Sequence, residues 1–360
     1  MTMSLPKFNM GSLFSRRSKL SLGLDIGSHA VKICELEDRN QSLFLASMGS
    51  AQLPEGAVED GILQDPGTVG TVISNLMKNL KIKGKKAAIS ISGYSVIVKK
   101  ISLNSMSDAE MESHIHSEAE QYIPFDIDEV YLDFQNLHTN SEDNERTDVM
   151  LVAAKKEVVD SYLEMLKKAG VITGIVDVDA FALENSYEDN FGLEETVALV
   201  DIGASKMNIN IIHKGSSLLA RDVAVGSRQL TEQIQNRLGI NFSEAESLKI
   251  GAVDAGEHTE DLASLFSSAC SQWIGEIKRA LDFFYTNHSE KNISKIVLSG
   301  GGSRIKGFDQ LVQRETEIST ELFNPFNKIS LSDKIDPQYV QYLAPEMAIS
   351  VGLASRPEEF

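Results

Sequence analysis

The tripeptide Asp-Ile-Gly occurs twice in this chain, each time between two apolar runs, and this duplication constrains the fold more than any other feature. In residues 21–36, Leu22 and Leu24 alternate with smaller residues up to Asp25, Gly27 and Ser28 turn the chain, and Val31, Ile33 and Leu36 resume an apolar pattern. Alternation on both sides of a short polar turn predicts a β-hairpin. Residues 197–212 repeat the plan, with Asp201 and Gly203 at the places of Asp25 and Gly27, and with Met207, Ile209 and Ile211 alternating after the turn. Taken singly, either turn is also an ordinary hairpin turn. Two copies imply an internal duplication, with two similar domains closing on a nucleotide between them.

A turn that opens on a carboxylate and continues through Gly and a hydroxyl suits Mg²⁺ and phosphate. Glycine lets backbone N–H groups approach phosphate oxygens, Ser28 adds a donor, and an Asp holds the metal, usually through water. A third element fits the same chemistry. Residues 296–308 read as a buried strand running into Gly300, Gly301, Gly302 and Ser303, then a helix. Three glycines leave room for a flat base or ribose against bare backbone, and a following helix N-terminus favours negative charge.

The order of these elements resembles the actin-like ATPase superfamily, which includes actin, the heat-shock ATPase chaperones, sugar kinases and the cell-division protein FtsA. The resemblance implies an α/β chain with the actin-like ATPase fold: duplicated ribonuclease-H-like domains and an FtsA-like inserted subdomain. It implies ATP and Mg²⁺ as ligands, the two hairpins as phosphate loops and the glycine run as the adenosine motif. Residues 173–183 and 346–354 resemble the two connecting helices that form the interdomain hinge. The implied division is a flexible tail at 1–20 and a first core subdomain at 21–92, completed by 173–195 and 345–360. An inserted subdomain at 93–172, a second core at 196–226 and 291–344, and a helical subdomain at 227–290 complete it.

Length and composition agree with two domains, since 360 residues with 42% hydrophobic content can bury two sizeable cores. A net charge of −18 argues against a nucleic-acid partner, which would need basic patches. Cys34 and Cys270 read as buried free thiols in a reducing cytosol. Residues 1–20 carry Met3, Leu5, Phe8, Met10, Leu13 and Phe14 before Arg16, Arg17 and Lys19, the reverse of a signal peptide. This stretch is either a disordered tail or a short segment touching an anionic membrane surface. No stretch reaches the roughly 18 apolar residues of a membrane span, so any membrane association is peripheral.

Along the chain, Asp65-Pro66 opens a helix over 66–80 with Val69, Val72, Ile73 and Leu76 on one face. The lysines of 81–86 make either a phosphate or lipid patch or a solvated turn. Residues 87–91 and 96–103 read as strands, and Ser107 with Glu110 as the capping box of a helix through about Tyr122, ended by Pro124. A polar hairpin tip at 139–147, a strand at 148–154 and a helix at 157–169 complete a small α/β subdomain. Residues 257–287 form a long helix with a core stripe through Leu262, Trp273, Ile277 and Phe284.

The inserted segment narrows the resemblance. Residues 118–130 (Glu-Ala-Glu-Gln-Tyr-Ile-Pro-Phe-Asp-Ile-Asp-Glu-Val), 152–159 (Val-Ala-Ala-Lys-Lys-Glu-Val-Val) and 176–185 (Val-Asp-Val-Asp-Ala-Phe-Ala-Leu-Glu-Asn) resemble the PilM family, cytoplasmic actin-like proteins of the type IV pilus machinery. The resemblance runs from about Leu20 to Ala354. It implies a place at the cytoplasmic face of the inner membrane and a partner, the N-terminal cytoplasmic peptide of PilN. That peptide is expected in a groove between the inserted and first core subdomains. Pilus motor ATPases and other platform proteins are further implied partners.

Site roles follow from the same resemblance. Asp25 and Asp201 orient hydrated Mg²⁺, Gly27, Ser28 and His29 with Gly203, Ala204 and Ser205 surround the β- and γ-phosphates, and Gly300–Ser303 line the adenosine. Gly226 lies near the phosphates. Glu276, Lys278 and Arg279 either match the adenine and ribose region or form a solvated charge pair. Lys32 either reaches a phosphate or faces solvent. His29 departs from the Ser or Thr frequent at this turn and is given no catalytic role. No residue is assigned to orient an attacking water, so a slow ATPase or a nucleotide-dependent switch is expected. A filament-forming division protein like FtsA is the alternative, although the ending Arg-Pro-Glu-Glu-Phe lacks that protein's membrane helix. A small-molecule kinase is the third reading, without a recognisable sugar site.

Overall fold

The strand Leu22–Ile26 is buried along its whole length and lies inside a six-stranded sheet. The structure is a computed structural model that describes residues 22–39, 42–137 and 146–357. The chain divides into two compact units, residues 1–186 with 329–332 and 349–360, and residues 187–328 with 333–348. The N-terminal tail and most of the polar hairpin tip at 139–147 fall outside the described residues.

In the first unit the sheet runs in the order Ile172–Val178, Lys86–Ile91, Leu22–Ile26, Ala30–Arg39, Ser42–Gln52 and Ser330–Leu331. Leu22–Ile26 pairs antiparallel with Ala30–Arg39, as its alternation predicts, and parallel with Lys86–Ile91. Lys86–Ile91 is buried at every position after Lys86, which suits a strand covered on both faces. The helix Pro66–Asn79 starts where the Asp65 carboxylate accepts the Thr68 N–H at 3.0 Å, with Pro66 at its first position. Its Val69, Ile73 and Leu76 enter the core with Leu22, Leu24 and Ile89, and the helix Lys156–Lys168 adds Tyr162, Met165 and Leu166.

Two expectations are corrected here. Residues 173–178 are not helical: Ile172–Val178 is a strand paired parallel with Lys86–Ile91, and the helix starts only at Asp179 and runs to Phe191. Sheet pairing wins because an open parallel edge is available and Ile175 and Val178 bury on it. The helix begun by the Ser107–Glu110 capping box ends at Ala119, short of Tyr122. There the Tyr122 and Ile123 N–H groups fold back onto the Ala119 carbonyl at 2.9 and 3.0 Å, which carries Ile123 into the core. Pro124 disfavours a helical residue 123 in any case.

The inserted stretch builds a three-stranded antiparallel sheet, with Arg146–Lys155 between Val96–Asn104 and Val130–Asn136. The helix Asp108–Ala119 closes it over Met111, Ile115, Val149 and Leu151.

The second unit repeats the first unit's five-strand plan. Its order is Ser216–Val223, Met207–His213, Thr196–Ile202, Lys295–Ser299 and Thr320–Leu322, with three antiparallel strands followed by two parallel ones. The duplication seen in two tripeptides is thus a duplication of whole sheets. Helices Ser227–Leu238, Phe242–Lys249, Thr259–Asn287 and Phe308–Thr316 cover it. The expected stripe of the long helix is core: Leu262, Trp273, Ile277 and Phe284 are buried, and Trp273 meets Phe308 edge-on at 5.5 Å.

Candidate nucleotide site

In the first hairpin the Gly27 N–H donates to the Ala30 carbonyl at 3.1 Å and closes the turn. Asp25 and Lys32 are direct partners across the ladder, and Lys32 Nζ donates to Asp25 Oδ2 at 2.9 Å. Both side chains are largely buried, so Lys32 engages the carboxylate and does not face solvent. A Cβ on Gly27 would lie 3.3 Å from the Ala30 oxygen and 3.4 Å from Lys32 Nζ, which explains the glycine at a turn without positive φ. Ser28 is buried beside it, and the His29 carbonyl accepts the Leu53 N–H at 2.8 Å.

Asp179 is a further buried carboxylate of the first unit. The Tyr162 phenol donates to the Gly61 carbonyl at 3.1 Å, and burial first, then Asp179 and Asp25, push its pKa up. Asp179 opens the helix Asp179–Phe191 and accepts from Ser92 Oγ at 2.5 Å. Nothing in the local pattern distinguishes Asp179 from a capping residue.

The second hairpin has the same turn: the Gly203 N–H donates to the Lys206 carbonyl at 2.9 Å. Asp201 Oδ1 accepts from Ser299 Oγ at 2.8 Å. Gly226 precedes the helix Ser227–Leu238, whose Ser227 and Arg228 N–H groups donate to the Gly203 and Ala204 carbonyls at 2.9 and 2.8 Å. The helix start is therefore pinned to the turn. A Cβ on Gly226 would stand 2.3 Å from the Ala204 oxygen, so only glycine allows this approach.

The glycine run packs on the same hairpin. Gly300 has φ +80, and a Cβ there would meet the Ile202 oxygen at 2.4 Å; one on Gly302 would meet Ile202 Cγ2 at 2.4 Å. The Gly300 N–H donates to the Pro345 carbonyl at 2.8 Å, and Ser303 Oγ donates to the Gly300 carbonyl at 2.7 Å. Gly301 is exposed, beside Glu346, which pairs with Arg304. The second unit thus brings Asp201, Gly203, Ala204, Gly226, Gly300, Gly302 and Ser303 together.

Glu276 and Arg279 pair with each other one turn apart on the long helix, the arginine side chain 60% exposed. The sequence reading missed a better-buried pair. Lys249 Nζ lies 2.8 Å from Glu246 Oε2 and donates to the Ser227 carbonyl at 3.3 Å, and Glu246 also accepts from Thr231. Burial first holds the Lys249 ammonium below its ordinary pKa, against the pull of Glu246 and Glu346. In sequence the pair is an ordinary one at helical spacing, so nothing marks it as buried.

Within the first unit, a groove of about 420 Å³ lies between the helices Pro66–Asn79 and Lys156–Lys168, lined by Gly67, Gly70, Ser74, Ser161, Met165 and Ala169 among others. Among the described residues, no helix is long and apolar enough to cross a membrane, and no three His, Cys, Asp or Glu side chains converge as a metal-binding set. A hydrated Mg²⁺ fits the Asp-Ile-Gly turns, since such an ion keeps several waters and takes few protein carboxylates.

A family described as type IV pilus assembly protein PilM matches residues 23–358. The cell division protein FtsA of Streptococcus pneumoniae is 23% identical over 350 residues, spanning 84% of this chain and 75% of that protein. A chain of the solved PilM-PilN type IV pilus biogenesis complex superposes with a TM-score of 0.83 at 27% identity, covering 93% of this chain and 97% of that one. MreB 5 of Spiroplasma citri, solved bound to AMPPNP, shares the fold at a TM-score of 0.51 and 11% identity, over 92% and 93% of the two chains. The duplicated sheets, their Asp-Ile-Gly turns and these likenesses agree, and the chain belongs to the PilM family of type IV pilus assembly proteins, within the actin-like fold.

Proposed function

We propose that this protein is an ATP-binding element of the type IV pilus inner-membrane platform, recruiting the N-terminal peptide of PilN at the cytoplasmic face. The likeness to a chain solved in a PilM-PilN complex, over 97% of that chain, carries the reading. The groove between the helices Pro66–Asn79 and Lys156–Lys168 is the proposed seat of the peptide. Gly70 is buried against Met165 and Ala169 and lets the two helices approach, while the exposed Gly67 leaves one wall open to an extended backbone, and Ser74 and Ser161 offer polar contacts.

In this reading Gly27, Ser28 and His29 on one hairpin and Gly203, Ala204 and Ser205 on the other take the β- and γ-phosphates. Gly226 sets the second turn, and Asp25 and Asp201 orient hydrated Mg²⁺. Lys32 holds the Asp25 carboxylate and adds positive charge near the phosphates. Gly300, Gly301, Gly302 and Ser303 take the adenosine, with Glu246 and Lys249 and with Glu276 and Arg279 as polar partners. Mg²⁺ supplies charge neutralisation at the phosphates when bound.

Met165 lines the groove, and with Tyr162 of the same helix it packs in one hydrophobic core with Leu24 and Ile26, the neighbours of Asp25 in its strand. Nucleotide and peptide are therefore expected to alter each other's affinity by the same factor. Calorimetric titration with the PilN N-terminal peptide, with and without Mg-ATP, tests this. Binding that changes with nucleotide is the expected result. No peptide binding in either state, with ATP binding intact, overturns the recruitment reading and moves the FtsA-like one to first place.

A further inference from the structure

Four polar side chains form a row across four neighbouring strands of the second unit's sheet. Asn208 pairs with Asp222 on one side and Asp201 on the other, and Asp201 pairs with Ser299. Directly paired residues present their side chains on one face, so the row is continuous. Its hydrogen bonds are Asn208 Nδ2 to Asp222 Oδ1 at 2.7 Å and Ser299 Oγ to Asp201 Oδ1 at 2.8 Å.

The first of these bonds settles the orientation of the amide. A carboxylate oxygen accepts only, so the nitrogen of Asn208 faces Asp222 and the carbonyl oxygen is the atom left over. Asn208 is 6% exposed, and its buried Oδ1 has no hydrogen-bond partner among the described residues. A buried acceptor of this kind needs a donor. Neither neighbour in the ladder provides one, because Asp201 and Asp222 are acceptors themselves.

The first hairpin treats the corresponding position differently. There Lys32 stands opposite Asp25 and supplies a cation from the chain itself. The second hairpin sets Asn208, with its unpartnered oxygen, opposite its Asp, and two such acceptors call for a group that donates to both. Water on a divalent cation is such a group, since the metal takes the oxygen and presents both protons.

We propose that Asn208 is a metal-positioning residue: its Oδ1 accepts a hydrogen bond from a water on a divalent cation held at Asp201. The proposal rests on the nucleotide reading for the source of that cation. The test is calorimetric titration of the full chain with ATP, once in Mg²⁺ and once in EDTA, for the natural protein and for Asn208→Leu. Mg-ATP affinity is expected to fall roughly 10- to 100-fold, the usual loss for an outer partner of a metal site, with affinity in EDTA unchanged. Asn208→Ser, which stays polar but cannot reach, gives the same metal-specific loss and covers the case in which the leucine variant fails to fold. Equal losses in both conditions, or no loss, overturn the proposal. A natural protein that binds ATP equally well in Mg²⁺ and EDTA also overturns it while sparing the nucleotide reading. One that binds no ATP at all defeats both.

Discussion

Gly352 lies so close to Ala182 that a Cβ on it would stand 1.7 Å from the Ala182 carbonyl oxygen. The helix Ala348–Ala354 touches the helix Asp179–Phe191 backbone to backbone at that point, and Gly23 accepts the same helix from the sheet side, its missing Cβ 2.0 Å from the Ser350 oxygen. Neither contact can relax by a rotamer change, because the obstructing atoms are backbone. Gly352→Ala is expected to destabilise the first unit by about 3 kcal/mol or more, at the upper end of overpacking costs. Urea unfolding measures this, and a loss below about 1 kcal/mol would show that the helices separate freely.

Lys32 and Asp25 form a largely buried pair. Lys32→Met removes the cation 2.9 Å from a buried carboxylate and is expected to cost about 2 kcal/mol, while Lys32→Met with Asp25→Asn costs less than the sum of the single changes. A double-mutant cycle in urea reads the coupling, and simple additivity would mean that the pair contributes nothing.

At Gly226 the expected consequence is local. Gly226→Ala pushes its new methyl against the Ala204 carbonyl and tilts the helix Ser227–Leu238 away from the Asp201 turn. ATP affinity is expected to fall at least tenfold, about 1.4 kcal/mol, with the melting of the first unit unaffected. Calorimetry and thermal unfolding on one preparation separate the two effects.

In the proposed reading Lys249 is a second probe of the adenosine side. Lys249→Met keeps the length of the side chain, removes the charge that faces Glu246, and is expected to weaken ATP binding by roughly tenfold, about 1.4 kcal/mol. Arg279→Ala removes a mostly exposed guanidinium, whose pairing with Glu276 is screened by water on the arginine side, and should change stability by less than about 1 kcal/mol. Unfolding curves of the two variants give the contrast directly.

His213 gives the protein a pH-sensitive contribution. Burial first, then Lys291 and Lys214, hold its imidazole below the ordinary value of 6.5, and its Nδ1 meets Thr196 Oγ1 at 2.7 Å. With the folded pKa depressed, the unfolded chain takes up the proton at a higher pH than the folded one. The stability from this group is therefore present above 6.5 and is lost as pH falls from there through the lowered folded value. Melting temperatures at about pH 7.5 and about pH 5 should fall further for the natural protein than for His213→Gln. Equal drops would place the sensitivity elsewhere.

Both hairpins were legible because their signals are local: apolar residues at alternate positions, a Gly two residues after an Asp, and four residues between the last paired positions. The capping residues Asp65 and Ser107 were legible for the same reason. Ile172–Val178 was not, since Ile-Thr-Gly-Ile-Val-Asp-Val suits a strand only when Lys86–Ile91 offers an edge to pair with. Lys249 with Glu246 and Arg279 with Glu276 look alike in sequence, both at helical spacing. Only packing against Ser227 and Thr231 buries the first pair.

Sequence alone determined the duplicated hairpin plan and the glycine positions, because periodicity and turn geometry act over a few residues and need no distant partner. Tertiary structure decided which polar groups face one another: Lys32 with Asp25, Asn208 with Asp222 and Asp201, Gly300 with Ile202. Those pairings depend on ladder register and on close backbone approach between strands far apart in the chain. Electrostatics inside a low-dielectric interior then gives them their weight.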